Sequence, residues 1–169
     1  WGIPRHYDYP PLSGPPRWDV VWIGCGKDQQ GQRERALDLY DGPIFTAHRQ
    51  IACHINGPDC VHSILSAKHH VVPASEFLDP YDRTLTAAEL RAWSAVVLEQ
   101  LLALARGRRG FSVLALAGGR YVDGWADHAR ARGIIVDTPL QGLEAGERRS
   151  LADRLRRETP GRGGPLDDH

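Results

Sequence analysis

The sequence has only three cysteines, no excess of either charge and no long apolar run. Cys25, Cys53 and Cys60 form an odd set without a CxxC pair, which argues against a disulfide framework and predicts a reducing, cytoplasmic location. The 21 basic and 21 acidic side chains cancel, which argues against blanket electrostatic binding to nucleic acid or to a membrane surface. No apolar stretch approaches the roughly 20 residues that cross a bilayer, so we expect no membrane association.

The chain does have enough length and apolar content for one domain with a core. It contains 169 residues, of which 41% are hydrophobic, and these values are typical of a globular protein. We predict a proline-rich N-terminal arm over 1–17, a single α/β domain over 18–158 and a disordered tail over 159–169.

Short apolar runs alternate with helical patterns along the predicted domain. The runs that predict strands are 19–26, 60–67, 111–119 and 134–139. The patterns that predict helices are 41–56, 86–107, 121–133 and 143–158. In the longest helix, Thr86 and Glu89 match a capping box, and residues from Leu90 to Leu104 form an apolar stripe. The alternation predicts a three-layer α/β/α sandwich around a mostly parallel four-stranded sheet.

Three of the predicted strands end in unusual polar or glycine-rich loops, at 24–27, 66–70 and 117–121. Ligands of open α/β sheets bind beyond the carboxyl ends of the strands. We therefore expect the three loops to lie side by side and to form a common pocket.

The candidate ligand contacts come from these loops and from the polar segment that follows the second one. The glycine turn at 24–27 offers backbone N–H groups and the Lys27 charge to an anion, although a plain turn explains it equally well. Cys25 is a candidate nucleophile if a neighbour lowers its pKa, but a buried structural cysteine is the more common case. The predicted substrate-binding residues are Cys25, Lys27, Ser66, His70, Tyr81, Arg83, Gly118, Gly119 and Tyr121.

Three polar side chains are candidates for catalysis: Lys68, His69 and Asp82. His69 can act as a general acid or base, and Asp82 can activate a water molecule as glycosidic hydrolysis requires. Lys68 ends a buried strand, so we expect it to reach a ligand or to pair with Asp79 or Asp82, because an unpaired buried charge is costly. A structural histidine and a structural ion pair are the alternative interpretations.

The histidines and cysteines of residues 48–70 raise the question of a zinc site. Their spacing matches no structural zinc pattern, and the residues of the predicted helix and strand need not converge. We expect neither a metal nor a cofactor.

Several short motifs occur in a fixed order along the domain. They are C-x-K at 25–27, DLY-x-GP-x-F at 38–45, LSAKH at 65–69, PYD-x-TL at 80–85 and PL-x-GL-x-x-G at 139–146. Over residues 20–155 this set resembles a bacterial and phage domain family of unknown function. It is more distantly similar to the peroxide-stress YaaA family, whose members bind DNA, to accessory domains beside tRNA-base-modifying enzymes and to the α/β fold of uracil-DNA glycosylases.

The chain departs from the motifs of this family at two positions. His70 stands where the pattern usually has glycine, and Ala145 replaces a larger aliphatic residue. We expect a left-handed and strained backbone at His70, which makes this histidine a candidate for a new task. The resemblance implies a shared fold and a shared pocket, but no reaction.

The first functional hypothesis is an enzyme that acts on a nucleotide, nucleoside or nucleic-acid base, by hydrolysis or transfer at the N-glycosidic bond. Lys27 and Lys68 would contact phosphate or the leaving base, Asp82 or His69 would position water, and the tyrosines would stack. The second is a non-catalytic DNA- or RNA-binding module with phosphate contacts from the arginine-rich segments 106–109, 130–132 and 148–149. The third is a biosynthetic enzyme that uses the same pocket for a small metabolite.

Overall fold

The fold is taken from a computed structural model, which describes residues 18–56 and 61–158. The predicted arm and the predicted tail lie outside these residues. The strands are β1 (Val20–Gly24), β2 (Glu34–Arg35), β3 (Ser63–Ser66), β4 (His70–Pro73), β5 (Phe77–Leu78), β6 (Ser112–Leu116) and β7 (Ile135–Asp137). The helices are α1 (Ala36–Leu39), α2 (Pro43–Asn56), α3 (Ala87–Ala105), α4 (Ala126–Ala131) and α5 (Ala145–Glu158), with a 3₁₀ turn at Gly119–Tyr121.

The main sheet has five strands in the order β4-β3-β1-β6-β7. β1 pairs in parallel with β3 and β6, and β6 pairs in parallel with β7. The mixed α/β class and the mostly parallel sheet are therefore confirmed. A separate antiparallel ribbon joins β2 to β5.

The predicted count of four strands was wrong, because the sheet has a fifth strand at one edge. β4 runs antiparallel to β3, with Ser66 opposite His70 and Ser63 opposite Pro73. The turn between the two strands is so short that the polar residues around it predict a loop and not a strand. Pro73 also argues against a strand, but the edge of a sheet tolerates proline because one side of an edge strand needs no ladder hydrogen bond.

The central strand contributes to two apolar clusters. Val21 and Ile23 belong to a cluster that includes residues of α2 and α5, and Val20 and Trp22 belong to another that includes residues of α3 and α4. All five residues of β1 are buried, as expected for a parallel strand covered on both faces. Full burial of each large side chain of this kind contributes about 1.5–3 kcal/mol.

The ends of the helices follow local signals in the sequence. α2 begins at Pro43, whose ring suits the first helical position. The predicted capping box of α3 is confirmed, since Thr86 and Glu89 exchange side-chain and backbone hydrogen bonds. The stripe of α3 differs from the prediction at its end, where Leu104 is 45% exposed and Ala105 is buried instead.

The order of the strands creates a switch point in the middle of the sheet. The chain leaves β1 for β3 on one side and later returns to β6 on the other side, so that the connections diverge at the carboxyl ends of β1 and β6. Ligands of open α/β sheets bind at such crevices. The parallel register, with Gly24 opposite Leu65 and Ile23 opposite Leu116, brings the ends of β3, β1 and β6 to one edge.

Candidate functional site

The loops that follow β1, β3 and β6 meet at this edge, as the sequence predicts. The Cys25 N–H donates to the Leu65 carbonyl at 2.8 Å, and the Ala67 N–H donates to the Cys25 sulfur at 3.4 Å. A Cβ atom at Gly24 would lie 2.9 Å from the Ala117 Cβ, so only glycine allows this approach. The three loops therefore pack directly against one another.

An open groove of about 540 Å³ lies beside the second loop, between the Pro80–Arg83 segment and the start of α3. We call it the rim groove. Its walls include Lys68, His70, Tyr81, Asp82, Arg83 and Trp93. Five of the predicted site residues therefore share one groove, and Trp93 joins them.

Aromatic rings line one side of the rim groove. Trp93 is buried and its indole N–H donates to the Ser66 carbonyl at 2.9 Å, which fixes the ring at the end of β3. The His70 ring stacks on Trp93 with 6.3 Å between centroids and an interplanar angle of 20°. His70 has φ 60°, which confirms the predicted left-handed backbone. Tyr121 meets the Trp93 ring edge-on at 5.3 Å but is not among the groove residues.

A chain of hydroxyl groups supports the turn between β3 and β4. The Ser66 Oγ accepts a hydrogen bond from the His69 N–H at 3.0 Å. Its own proton is therefore available for the Tyr81 hydroxyl at 2.7 Å, and the Tyr81 hydroxyl lies 2.5 Å from the Tyr40 hydroxyl. The predicted contact residues Ser66 and Tyr81 thus hold each other in place, and Tyr40, which the prediction missed, completes the chain.

Cys25 is poorly suited to nucleophilic attack. Burial raises the pKa of its thiol, and this effect outweighs hydrogen bonds from the Ala67 N–H and from the hydroxyls of Tyr121 and Tyr81. Burial also raises the pKa of Tyr40 to about 12. The hydroxyls and the thiol are therefore protonated near neutral pH, and the cluster offers neutral hydrogen-bonding groups rather than a thiolate.

The prediction that Lys68 ends a buried strand was wrong. β3 ends at Ser66, and Lys68 lies in the exposed turn beyond it. Its ammonium group lies 5.8 Å from the centroid of the Tyr81 ring. Within the described residues it forms no ion pair with Asp79 or Asp82, and Asp79 pairs with Arg33 at 3.4 Å. Because Lys68 is exposed, its charge needs no structural partner and is available to a ligand.

The other two candidates for catalysis differ in position. Asp82 is exposed and lines the rim groove. His69 is half-buried beside the groove, where its ring meets Tyr81 edge-on at 5.4 Å. Burial, and then the neighbouring Lys68 charge, lower the pKa of His69 below its usual 6.5. His69 is therefore neutral at pH 7 and able to accept a proton.

The positive charge of Arg83 is partly neutralised at the groove wall. Its guanidinium group pairs with the Glu89 carboxylate at 3.0 Å, and Glu89 also lines the groove. Hydrogen bonds from Thr86 hold the pKa of Glu89 below its usual value. Lys68 therefore offers the less compensated charge at this site.

A family model matches residues 20–154 of the chain, which is nearly all of the described part. It is the model of a family of unknown function, DUF6884. The chain belongs to this family. The predicted membership of a family of unknown function is thus confirmed, while the similarity to YaaA proteins and uracil-DNA glycosylases stays a prediction. No curated protein and no solved structure matches the chain significantly.

The remaining predicted contacts lie at the same end of the strands but outside the rim groove. The predicted pocket common to all three loops is therefore not found at this groove, because only the loop after β3 lines it. Lys27 is exposed in the loop after β1. A Cβ atom at Gly118 would lie 2.9 Å from the Arg148 guanidinium, and one at Gly119 would lie 3.2 Å from the Asp123 carboxylate. The end of a charged side chain therefore lies close to each of the two glycines.

The histidines considered for zinc are dispersed. His48 is buried on α2, and the His62 Nδ1 accepts a hydrogen bond from the Val21 N–H at 2.9 Å. Among residues 18–56 and 61–158, no three histidine, cysteine or acidic side chains are grouped to hold a metal ion. Cys60 lies outside these residues. No helix in the described part of the chain is long and apolar enough to span a membrane.

Proposed function

We propose that the chain is an enzyme that binds a nucleotide, a nucleoside or a nucleic-acid base in the rim groove. The reaction class that fits the site best is hydrolysis or transfer at an N-glycosidic bond. The observation that carries the proposal is the combination of an aromatic wall, an available ammonium group and an exposed carboxylate in one groove at the carboxyl ends of parallel strands.

The aromatic wall suits the flat ring of a base. Tyr81 and His70 line the groove together with the buried Trp93, on which His70 stacks, and base–aromatic stacking contributes about 1–3 kcal/mol per base. The volume of about 540 Å³ falls within the range of small-molecule sites. This space accommodates a nucleoside-sized ligand.

The polar groups of the groove suit the rest of such a substrate. Lys68 would contact a phosphate or the departing base. Asp82 would orient a water molecule or stabilise positive charge on the sugar, as carboxylates do in glycosidic hydrolysis. His69, which is neutral at pH 7, would accept a proton from that water through a small rearrangement of the turn.

The proposal takes the sheet to be the middle layer of a three-layer α/β/α sandwich. The two apolar clusters on alternate residues of β1 support this arrangement, since one includes α2 and α5 and the other includes α3 and α4. Such layering leaves the carboxyl ends of the strands free for a substrate.

The test incubates the protein with nucleosides, nucleotides and oligonucleotides and measures the released free base by chromatography. Asp82→Asn keeps the shape of the side chain and removes its charge. We expect the variant to release base at least about 100-fold more slowly, the usual effect of losing a general acid or base.

Asp79→Asn is the matched control, because Asp79 is exposed, belongs to the same segment and pairs with Arg33 outside the groove. It should act within about twofold of the unchanged protein, since surface substitutions have small effects. If no substrate releases base, the N-glycosidic reaction is refuted. If both variants are equally impaired, the catalytic role of Asp82 is refuted.

A further inference from the structure

A second depression, of about 460 Å³, lies at the amino-terminal ends of β6 and β7, opposite the carboxyl ends of the strands where the rim groove lies. It forms where α3 leads into β6 and where α4 leads into β7. Arg108, Arg109 and Arg132 line it together with small and apolar residues, and none of its lining residues is acidic. We call this surface the basic depression.

The charges of the basic depression are not compensated, unlike those of many other arginines in this protein. Arg108, Arg109 and Arg132 form no ion pair within the described residues. Arginines elsewhere do form ion pairs with carboxylates: Arg33, Arg35, Arg49, Arg83 and Arg130. A chain with no net charge therefore carries a local concentration of positive charge at this edge.

One of these arginines already contacts an aromatic ring. The guanidinium carbon of Arg108 lies 4.7 Å from the centroid of the buried Phe111 ring. Stacking on an aromatic face leaves the N–H edge of the guanidinium free, and this edge forms paired hydrogen bonds with phosphate oxygens. Part of the entropic cost of ordering the side chain is thus met before a ligand binds.

The backbone around the arginines is open to close approach. Gly107 and Gly133 line the depression with φ of 71° and 82°, and a Cβ at either position would meet no atom within 4 Å. A bulky phosphate group can therefore reach the arginines without steric hindrance from the two turns.

We propose that the basic depression binds consecutive phosphates of a nucleic-acid strand. Three arginines and no acidic residue line the depression, and such a group of cations suits the phosphates repeated along a strand. Only some arginines of the arginine-rich segments in the sequence contribute to this surface. Arg130 is turned away and donates to the Val136 carbonyl at 2.9 Å, and Arg148 lies beside Gly118 at the other edge of the sheet.

The arginines also follow the negative ends of α3 and α4, where cations stabilise a helix. If this were their only role, removing the three arginines would lower the stability of the protein and leave its affinity for nucleic acid unchanged. The two roles are therefore separable by experiment. The proposal is independent of the reaction in the rim groove, because a nucleoside can occupy the groove without contacting the depression.

The experiment measures binding of a fluorescently labelled DNA duplex and of its single strand by anisotropy, over about 50–200 mM salt. The test variant combines Arg108→Gln, Arg109→Gln and Arg132→Gln. We expect it to bind at least tenfold more weakly at low salt. Its salt slope should fall by about 2–3, since each phosphate contact contributes about 0.7–0.9. Release of base from a free nucleoside should be unchanged.

The control variant combines Arg33→Gln, Arg91→Gln and Arg149→Gln, which removes the same charge from exposed positions outside both sites. It should keep the affinity and slope of the unchanged protein. Equal losses in the two triple variants, no binding by the unchanged protein at low salt, or equally strong displacement of the DNA by an acidic peptide would each overturn the proposal. A lower melting temperature of the test variant with unchanged DNA affinity would assign the arginines to the helix ends instead.

Discussion

Removing the Ser66 hydroxyl tests directly how the turn beside the rim groove is held. Ser66 is fully buried, its oxygen accepts hydrogen bonds from the N–H groups of His69 and Lys68, and its hydroxyl shares a third hydrogen bond with the Tyr81 hydroxyl. At about 1 kcal/mol net for each bond, Ser66→Ala should lower the free energy of unfolding by about 2–3 kcal/mol. The lower end applies if water reaches the exposed Lys68 N–H.

Tyr81→Phe is the second arm of a double-mutant cycle. It removes the bonds of the Tyr81 hydroxyl to Ser66 and to Tyr40 and should cost about 1–3 kcal/mol. The double variant should be about 1 kcal/mol more stable than the sum of the single losses predicts, because the shared bond is counted twice in that sum.

Urea denaturation gives the free energies, and thermal unfolding gives an independent check. For a chain of this size each kcal/mol lowers the melting temperature by about 2–4 °C, so Ser66→Ala should lower it by about 4–12 °C. Ser75→Ala, at an exposed position, should change stability by less than about 0.5 kcal/mol. If the losses at Ser66 and Tyr81 add within about 0.3 kcal/mol, the hydroxyl chain does not act as a unit and the reasoning is refuted.

Two further predictions concern packing and acid stability. Gly24→Ala should lower the free energy of unfolding in urea by about 1–3 kcal/mol, because the new Cβ would lie 2.9 Å from that of Ala117. Gly31→Ala is the control, since its Cβ would meet nothing within 4 Å and stability should not change. Equal effects of the two substitutions would contradict the close packing of β1 against β6. Burial lowers the pKa of His48 from 6.5 to about 3, so the unfolded chain binds its proton first, and stability that is present above about pH 6.5 is lost as the pH falls toward 3. His48→Gln should weaken this loss in melting temperatures measured from pH 7 to pH 4, and exposed His128→Gln should not; an identical pH profile for all three proteins would exclude His48 as the cause.

Much of the fold was predictable because its signals are local. Apolar runs predicted β1, β3, β6 and β7, and helical periodicity with caps predicted α2, α3 and α5. The missed elements are short and depend on distant partners. β2 and β5 have two residues each and exist because Glu34 pairs with Leu78 across the ribbon. α1 has four residues, too few for a periodic pattern.

The site was predictable to the extent that topology alone determines it. Since parallel strands end at one edge, the loops after β1, β3 and β6 had to meet, and the register confirms that they do. Which side chains enter the groove depends on packing instead. Trp93 fits the apolar stripe of α3 and carried no separate signal in the sequence. Tyr40 lies in one of the motifs, but its hydrogen bond to Tyr81 joins residues 41 positions apart.

By itself the sequence determined the α/β class and the main strands and helices, because periodicity and capping act over short distances. It also determined at which ends of the strands the polar groups gather, because parallel strands have their carboxyl ends on the same side of the sheet. Only the tertiary structure decided that Lys68 is exposed, that burial raises the pKa of Cys25 within a cluster of hydroxyls, and that Arg108, Arg109 and Arg132 share one depression. Burial and the choice of charge partners depend on contacts between distant segments, and no pattern along the chain contains that information.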